Sequence, residues 1–442
     1  MSIIKLLNKK LDRTIFTTPS HNQKAYFSKN LQEFYKNDMS EYVGYDNLSC
    51  PKSAILMAQG KIGDILGAKQ SFFVTQGATT AMLAAMKAII NPGDRILAAR
   101  NCHKCVFNGL ILTAGIVDWF MPETNEQWGI YTEINTEKLD KTLAMNNYKA
   151  FILTSPTYEG VNSDIEKISQ ICKKHNTYLI VDEAHGALYG FNSKLPKNAI
   201  SQGADISINS LHKTAGGLNQ TAILNVGYNI KNMDIELFQQ SLNLFHTTSP
   251  SYPLLSNIEA CITYLFSYKA DKDISNLISE IEKFKKELKR FGIEFFEAPN
   301  HDVTKILLKK QGISGGELSE SLFDEFQIED ELNNNTASLF LTGIGTTKNK
   351  LDKLKSALKK IKTNESFEPE LNEFQPHPLV KLQPVDTFNR DYMYINKNNS
   401  LFKISNRLLM PYPPGIGILY PGEAIQEWHL KYLSEDVDVI CS

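Results

Sequence analysis

From about residue 50 to residue 230 the chain alternates short apolar runs ending in polar residues with stretches of helical period. Few folds accept that alternation. Residues 71–74 read as a strand, and 81–90 as a helix stopped by Asn91-Pro92-Gly93. Residues 95–98 read as another strand. The runs 149–154 and 178–181 are near-continuous apolar strands separated by a helical stretch over 164–175, and 205–209 follows as a short strand. Repeated strand–helix–strand units of this kind predict an α/β fold, a mostly parallel sheet with helices on both faces. Ligands of such sheets sit at the carboxyl ends of the strands. Asp182 falls at one such end, and Lys213 follows another within a few residues.

The rest of the chain divides around this unit. Residues 1–40 are mixed, with Thr17-Thr18-Pro19-Ser20-His21 breaking any period, and fit an extended amino-terminal arm. Residues 41–270 form the large domain. Residues 271–365 read as a smaller α+β domain: a long charged helix over 271–290, strands at 305–308 and 337–342, and an amphipathic helix over 348–362. Residues 366–442 are a linker and a carboxyl-terminal segment carrying Pro411-Tyr412-Pro413-Pro414-Gly415, too poor in donors for a helix or central strand.

Composition narrows the function classes. With 42% hydrophobic and 22% charged residues the chain has the balance of a soluble globular protein. Its formal net charge of −2 gives no field that favours nucleic acid or an anionic membrane. No apolar run reaches the ~20 residues of a membrane helix, and the apolar start is too short for a signal peptide. Six scattered cysteines make no disulfide scaffold. Cys102 and Cys105 form a CxxC with no second pair at zinc spacing, so no metal site is expected. A reducing cytoplasm is the expected compartment.

Four short signals stand in one order. Gln76-Gly77-Ala78-Thr79-Thr80 lies between a strand and a helix, where backbone amides, two hydroxyls and the helix amino terminus favour a phosphate dianion. His103 follows the next strand and can stack on a flat ring. Asp182, in Asp182-Glu183-Ala184-His185, ends a buried strand. A carboxylate there keeps a pyridine nitrogen protonated, Ala184 is small enough for the ring to lie on, and His185 can reach a ring hydroxyl. Lys213 comes 31 residues after Asp182, in Ser210-Leu211-His212-Lys213-Thr214, and its amine can hold an aldehyde as an imine once desolvation lowers its basicity. Singly, each has an ordinary reading: a helix cap, a structural histidine, a strand-end cap or metal ligand, a surface lysine. Asp-Glu-Ala-His also occurs in helicases, but their Gly-rich phosphate loop is missing here. The order points to pyridoxal phosphate.

The chain resembles the ornithine/lysine/arginine decarboxylase family over nearly its full length. The likeness is carried by Thr18-Pro19-Ser20-His21, Gly44-Tyr45-Asp46-Asn47-Leu48, Arg100-Asn101-Cys102-His103-Lys104 and Pro156-Thr157-Tyr158-Glu159-Gly160-Val161. The segments around Asp182 and Lys213 match as well, as do Thr247-Thr248-Ser249-Pro250-Ser251-Tyr252 and the run 411–416. The resemblance implies the aspartate-aminotransferase fold (fold type I) in a short form without a wing domain. It implies that Lys213 forms the imine, Asp182 pairs with the ring nitrogen and His103 stacks on the ring. Ser210, His212, Thr79 and Thr80 would hold the phosphate, and Lys213 or His212 would return a proton to the substrate. Thr248 and Ser249 resemble residues that reach a neighbouring subunit's cofactor, which implies a homodimer with an amino acid as substrate.

The chain also departs from the family pattern. Ser20, Asn22 and Lys24 replace Gly, Lys and Gly; Arg407 stands where the family has a glutamate, and Gly417 where it has a proline. If that glutamate meets the substrate's distal cation, Arg407 repels it: like charges ~4 Å apart at an effective dielectric of ~20 cost about 4 kcal/mol. Three functions are therefore carried forward: decarboxylation of lysine, arginine or ornithine; another reaction of the same cofactor (transamination, elimination or cyclisation); and an idle relative that binds the cofactor or a partner.

Overall fold

The structure, a computed structural model, describes residues 2–7, 17–21, 23–25, 29–230, 235–364, 366–411 and 415–441. Asn22 and the central part of the 411–416 run, residues 412–414, lie outside the described residues. Seven strands form one sheet: β1 (Gln70–Val74), β2 (Arg95–Ala99), β3 (Ile116–Phe120), β4 (Ala150–Thr154), β5 (Tyr178–Asp182), β6 (Ile206–Ser210) and β7 (Ala222–Val226). Their spatial order is β1-β7-β6-β5-β4-β2-β3. The run from β6 to β3 is parallel, whereas β7 is antiparallel to both its neighbours.

Alternate residues of each strand enter different cores. Ile96, Ala98, Ile152, Ile180 and Ile208 pack on one face, while Leu97, Ala99, Phe151, Leu153, Leu179 and Val181 pack on the other. Burial on both faces explains why these strands read as unbroken apolar runs. It also explains why β7 (Ala-Ile-Leu-Asn-Val) and β3 escaped the sequence reading: neither carries a period-2 signal or flanking turn chemistry strong enough to mark it. One polar ladder crosses the sheet. Ser71 donates to Asn225 at 2.6 Å, Asn225 to Asn209 at 2.8 Å, and Asn209 to the Glu183 carboxylate at 3.0 Å. A one-residue slip of β7 would turn Asn225 into an apolar core, so the ladder pins the register.

A second sheet, β8 (Ile293–Phe295), β9 (Lys305–Lys310), β10 (Leu332–Asn333) and β11 (Ser338–Leu341), is antiparallel in the order β8-β9-β11-β10. It packs on helices Tyr268–Leu288, Gly315–Phe326 and Lys348–Lys360. The first of these is capped by Ser267, whose hydroxyl accepts from the Ala270 amide, so the boundary expected at 270 falls inside its first turn. The arm expected to be extended carries two short helices, Ile3–Leu7 and Gln32–Asn37; Ile3 is fully buried against the large domain, which gives the first one its reason to form. Among the described residues no helix is long and apolar enough to cross a membrane.

The carboxyl-terminal segment adds the pair β12 (Tyr392–Asn396) and β13 (Asp436–Ile440), and is riveted to the large domain by a buried ion pair. Arg100, just past β2, places a guanidinium nitrogen 2.9 Å from the Glu423 carboxylate. The guanidinium lies 4.9 Å from the Trp119 ring centre and 4.5 Å from that of Tyr420. Tyr420 explains Gly417: a Cβ there would sit 2.4 Å from the phenol ring.

Arg100→Ala leaves Glu423 buried without its cation, a change that costs about 3–5 kcal/mol. Denaturant titration of the variant should show a lower midpoint, with Arg100→Met/Glu423→Met recovering part of it. An unchanged midpoint in Arg100→Ala would show that the rivet carries no net stability.

Candidate active site

Three neighbouring strands of the parallel run end together. Thr154 pairs with Asp182 across β4 and β5, and Ser210 lies two residues past Ile208, the partner of Asp182. Each continues the row of its strand, two residues beyond Ile152, Ile180 and Ile208, so all three side chains leave the sheet on one face. All three line a cavity of about 780 Å³. The small domain adds Glu331 and Leu341 to its wall, and the carboxyl-terminal segment adds Ile416.

Lys213 lies in a short helix, Leu211–Thr214, that starts right after β6. Its Nζ is 2.8 Å from His185 Nε2 and 5.7 Å from the centre of the Tyr158 ring. Burial lowers the amine's pKa, against the opposing pull of the Asp182 charge. His185 packs on Tyr158 with ring centres 4.2 Å apart, and burial, then the Lys213 charge, pushes its pKa well down. The neutral imidazole is therefore the partner of the amine. Asp182 Oδ1 accepts from the Ala184 amide at 3.1 Å. His103 caps the helix Lys104–Thr113, its Nδ1 accepting from the Cys105 amide at 3.2 Å, and burial lowers its pKa too. Its backbone forms a bridge with Ile416, and the Lys104 amide donates to Gly415 O at 3.0 Å. The glycine after the proline run thus fixes the position of the histidine.

At the other end of the cavity the helix Gly77–Ile89 begins without a side-chain cap. Gly77 adopts φ +86°, a conformation that favours glycine, and its amide donates to Gln220 O at 2.9 Å. Gly77, Ala78, Thr79, Ser210 and His212 all face the cavity there, with His212 Nδ1 3.3 Å from Ser210 Oγ.

Ten of the expected site residues therefore meet in one cavity: these five with His103, Asp182, Ala184, His185 and Lys213. Three do not. The Thr80 hydroxyl turns back to donate to Gln76 O at 3.3 Å, satisfied by its own helix turn. Thr248 and Ser249 are exposed and outside the cavity of this chain. Arg407 is also outside the cavity of this chain: 70% exposed, it pairs with Asp438 at 2.8 Å. Cys102 and Cys105 are buried thiols, and burial pushes Cys102 up to about 12. Sequence reasoning missed Asn101, Tyr131, Tyr158, Glu159 and Glu331 as wall residues. Asn101, Tyr158 and Glu159 lay inside segments already singled out; Glu331, in an unremarkable acidic stretch, carried no signal.

The mostly parallel seven-stranded sheet, with a lysine and an aspartate facing one strand-end cavity, has the architecture of fold type I. The solved lysine decarboxylase of Francisella novicida superposes with a TM-score of 0.85 at 18% identity, over 99% of this chain and 80% of that one. An alanine–glyoxylate aminotransferase from Nostoc gives 0.55 at 18% identity, over 71% of this chain and 88% of that one. The family description "Orn/Lys/Arg decarboxylase, major domain" matches residues 5–308. An arginine decarboxylase of Bacillus anthracis is 29% identical over 449 residues, 96% of this chain and 90% of that protein. The constitutive lysine decarboxylase of Escherichia coli is 24% identical over 252 residues, 54% of this chain and 35% of that protein. The chain belongs to the Orn/Lys/Arg decarboxylase family and is an amino-acid decarboxylase.

The family implies pyridoxal phosphate, and the cavity fits it. Asn101 Oδ1, Thr154 Oγ1 and His185 Nδ1, on residues that line it, are buried polar atoms without a hydrogen-bond partner among the described residues, a cost that a polar ligand removes.

Glu183, beside Asp182, is fully buried, accepts from the Ala199 amide at 2.8 Å, and is pushed up to about 8 by burial. A carboxyl whose folded pKa is raised contributes stability that is full below its unfolded value and lost as pH rises through the folded one. The thermal midpoint of the wild type should therefore fall more steeply between acidic and mildly alkaline pH than that of Glu183→Gln. Parallel profiles would mean that the group does not titrate in that window.

Proposed function

We propose that this chain decarboxylates a basic amino acid (lysine, arginine or ornithine) to the corresponding amine and carbon dioxide, with pyridoxal phosphate held by Lys213. The observation that carries the reading is that Lys213, Asp182 and His103 face one cavity at the strand ends. When bound, the cofactor supplies an electron sink for the pair left behind by the departing carboxylate. The chain's own residues set up the rest.

Asp182, with one oxygen engaged by the Ala184 amide, would pair with the ring nitrogen and keep it protonated. His103, fixed by the Cys105 amide and by Ile416, would lie against the ring. The helix start after Gly77, with Thr79, Ser210 and His212, would hold the phosphate. Lys213, made less basic by burial, would hold the cofactor as the free amine; displaced by the substrate and taking the proton of its ammonium group, it would return that proton to the α-carbon, and His185 Nε2 lies 2.8 Å from its Nζ. His212 lies at the phosphate end beside Ser210 and suits that role less.

We also propose a homodimer acting in the cytoplasm, with Thr248 and Ser249 serving the partner's site; both hydroxyl residues are exposed here, as that role requires. All six cysteines are free, which agrees with a reducing compartment. The partition into arm (1–40), large domain (41–270), small domain (271–365) and carboxyl-terminal unit (366–442) is part of the same proposal; the seven-stranded sheet, the four-stranded sheet and the β12–β13 pair fall in the last three, with the helix Tyr268–Leu288 crossing the boundary at 270.

A mass-spectrometric screen of amino acids with cofactor-loaded protein tests the reaction. Amine and carbon dioxide are expected from at least one basic amino acid, and a loss of turnover of 10³-fold or more is expected in Lys213→Ala, roughly the scale of deleting a covalent catalyst. Undiminished turnover in the variant would overturn the assignment of Lys213.

A further inference from the structure

A second cavity, of about 410 Å³, lies between the helix Tyr268–Leu288 with its last turn and the segment 297–303. Its walls carry five charged side chains and an imidazole: Glu282, Lys285, Lys286, Lys289, Glu297 and His301. Three lysines against two glutamates leave one positive charge over. Nothing in the chemistry of the strand-end site uses any of them.

Most cations of this helix are matched. Lys289 pairs with Glu297 at 2.6 Å, and Lys283 with Glu280 at 2.8 Å. Lys285 and Lys286 differ. Among the described residues neither ammonium group forms an ion pair or donates a hydrogen bond, and Glu282, one turn earlier, holds neither of them. Lys286 is exposed, but Lys285 is only 6% exposed, with its Nζ 6.0 Å from the centre of the Phe295 ring. Burial lowers its pKa, against the pull of the Glu297 charge. An ammonium taken out of water without a hydrogen-bonded counterion is costly, and an anion in the cavity removes that cost.

His301 narrows the choice of anion. Its Nε2 lies 3.0 Å from Glu159 O, and because a carbonyl only accepts, Nε2 carries the proton. Burial, then the Lys285 charge, pushes its pKa down to about 4, so the ring is neutral near physiological pH and Nδ1 is an acceptor. That nitrogen has no partner among the described residues. The wall therefore offers ammonium donors together with one acceptor. Sulfate and carboxylate ions bring acceptors alone. A phosphate monoester, with a second pKa of about 6, has lost most of its remaining proton at neutrality. Inorganic phosphate keeps a P–OH in both of its neutral-range forms and matches the set.

The same histidine ties the cavity to the first one. His301 bridges to Val161, and the Asp302 amide donates to Gly160 O at 2.8 Å. The Asn162 amide donates to Asn300 O at 2.9 Å, and Asn300 Nδ2 returns a bond of 2.8 Å to Asn162 O. Segment 157–162, laced in this way to 300–302, carries Tyr158 and Glu159 to the wall of the strand-end cavity.

We propose that the second cavity binds inorganic phosphate, held by Lys285 and Lys286 with His301 Nδ1 accepting its P–OH, and that its occupancy steadies segment 157–162.

Calorimetric titration of cofactor-loaded protein with inorganic phosphate, at neutral pH and fixed ionic strength, tests the site. One phosphate per chain is expected to bind the wild type, with sulfate and glycerol 3-phosphate weaker. Lys285→Met keeps a buried stem and removes the charge; phosphate affinity should fall about 10- to 100-fold, the worth of a hydrogen bond to a charged group. Lys286→Ala, at an exposed position that leaves the fold intact, should also lose affinity. Hydrogen exchange reads the link: phosphate should slow amide exchange in 157–162 and 300–302 of the wild type and leave it unchanged in Lys285→Met. No binding to the wild type, equal affinity for sulfate, or undiminished affinity in both lysine variants overturns the site. Phosphate that binds without slowing that exchange overturns its hold on segment 157–162.

Discussion

Parallel strands in register deliver their last residues to one line, and everything chemical in this protein is arranged along it. Thr154, Asp182 and Ser210 are the final residues of β4, β5 and β6. Because successive side chains alternate between faces, all three leave the sheet on the side of Ile152, Ile180 and Ile208. The turn after β5 and the short helix after β6 then supply His185 and Lys213, and the amine and the imidazole meet at 2.8 Å. No loop has to reach far. The rigidity of a sheet buried on both faces is transferred directly to the groups that must be held to within fractions of an ångström.

The electrostatics follow from the same burial. The amine of Lys213 shares its surroundings with two histidines whose pKa values burial also lowers, and with the buried Lys305, so the site is tuned toward neutral nitrogen rather than toward cations. Against that stand Asp182, which favours the charged amine, and Glu331 at the far wall. Asp182 and Lys213 come from the large domain, and Glu331 from the small one.

Much of this was legible in the sequence because the strands ending at the site are long apolar runs punctuated by polar residues. The expected strands at 71–74, 149–154 and 178–181 fall on β1, β4 and β5, and ten expected site residues converge. What escaped had physical reasons. β7 reverses direction, which no local pattern announces. Ile3 forms a helix only because a distant core receives it. The Thr80 hydroxyl bonds back to Gln76 O in its own helix turn. Arg407, which stands where the family has a glutamate, pairs with Asp438, 31 residues away, a partner that no local pattern announces. Glu331 becomes visible only once a separate domain folds over the strand ends.

The rivet between Arg100 and Glu423 joins residues 323 apart in the chain. During translation β1 to β6 emerge long before their clamp, and Ile416, whose bridge steadies His103, emerges more than three hundred residues after that histidine. A nascent polypeptide that has delivered only the sheet therefore exposes an unfinished pocket whose guanidinium has no counterion and whose aromatic cover, Tyr420, has yet to arrive. The pocket closes only once residues 415–423 are in place, and until then that edge of the sheet is open to contacts with other chains.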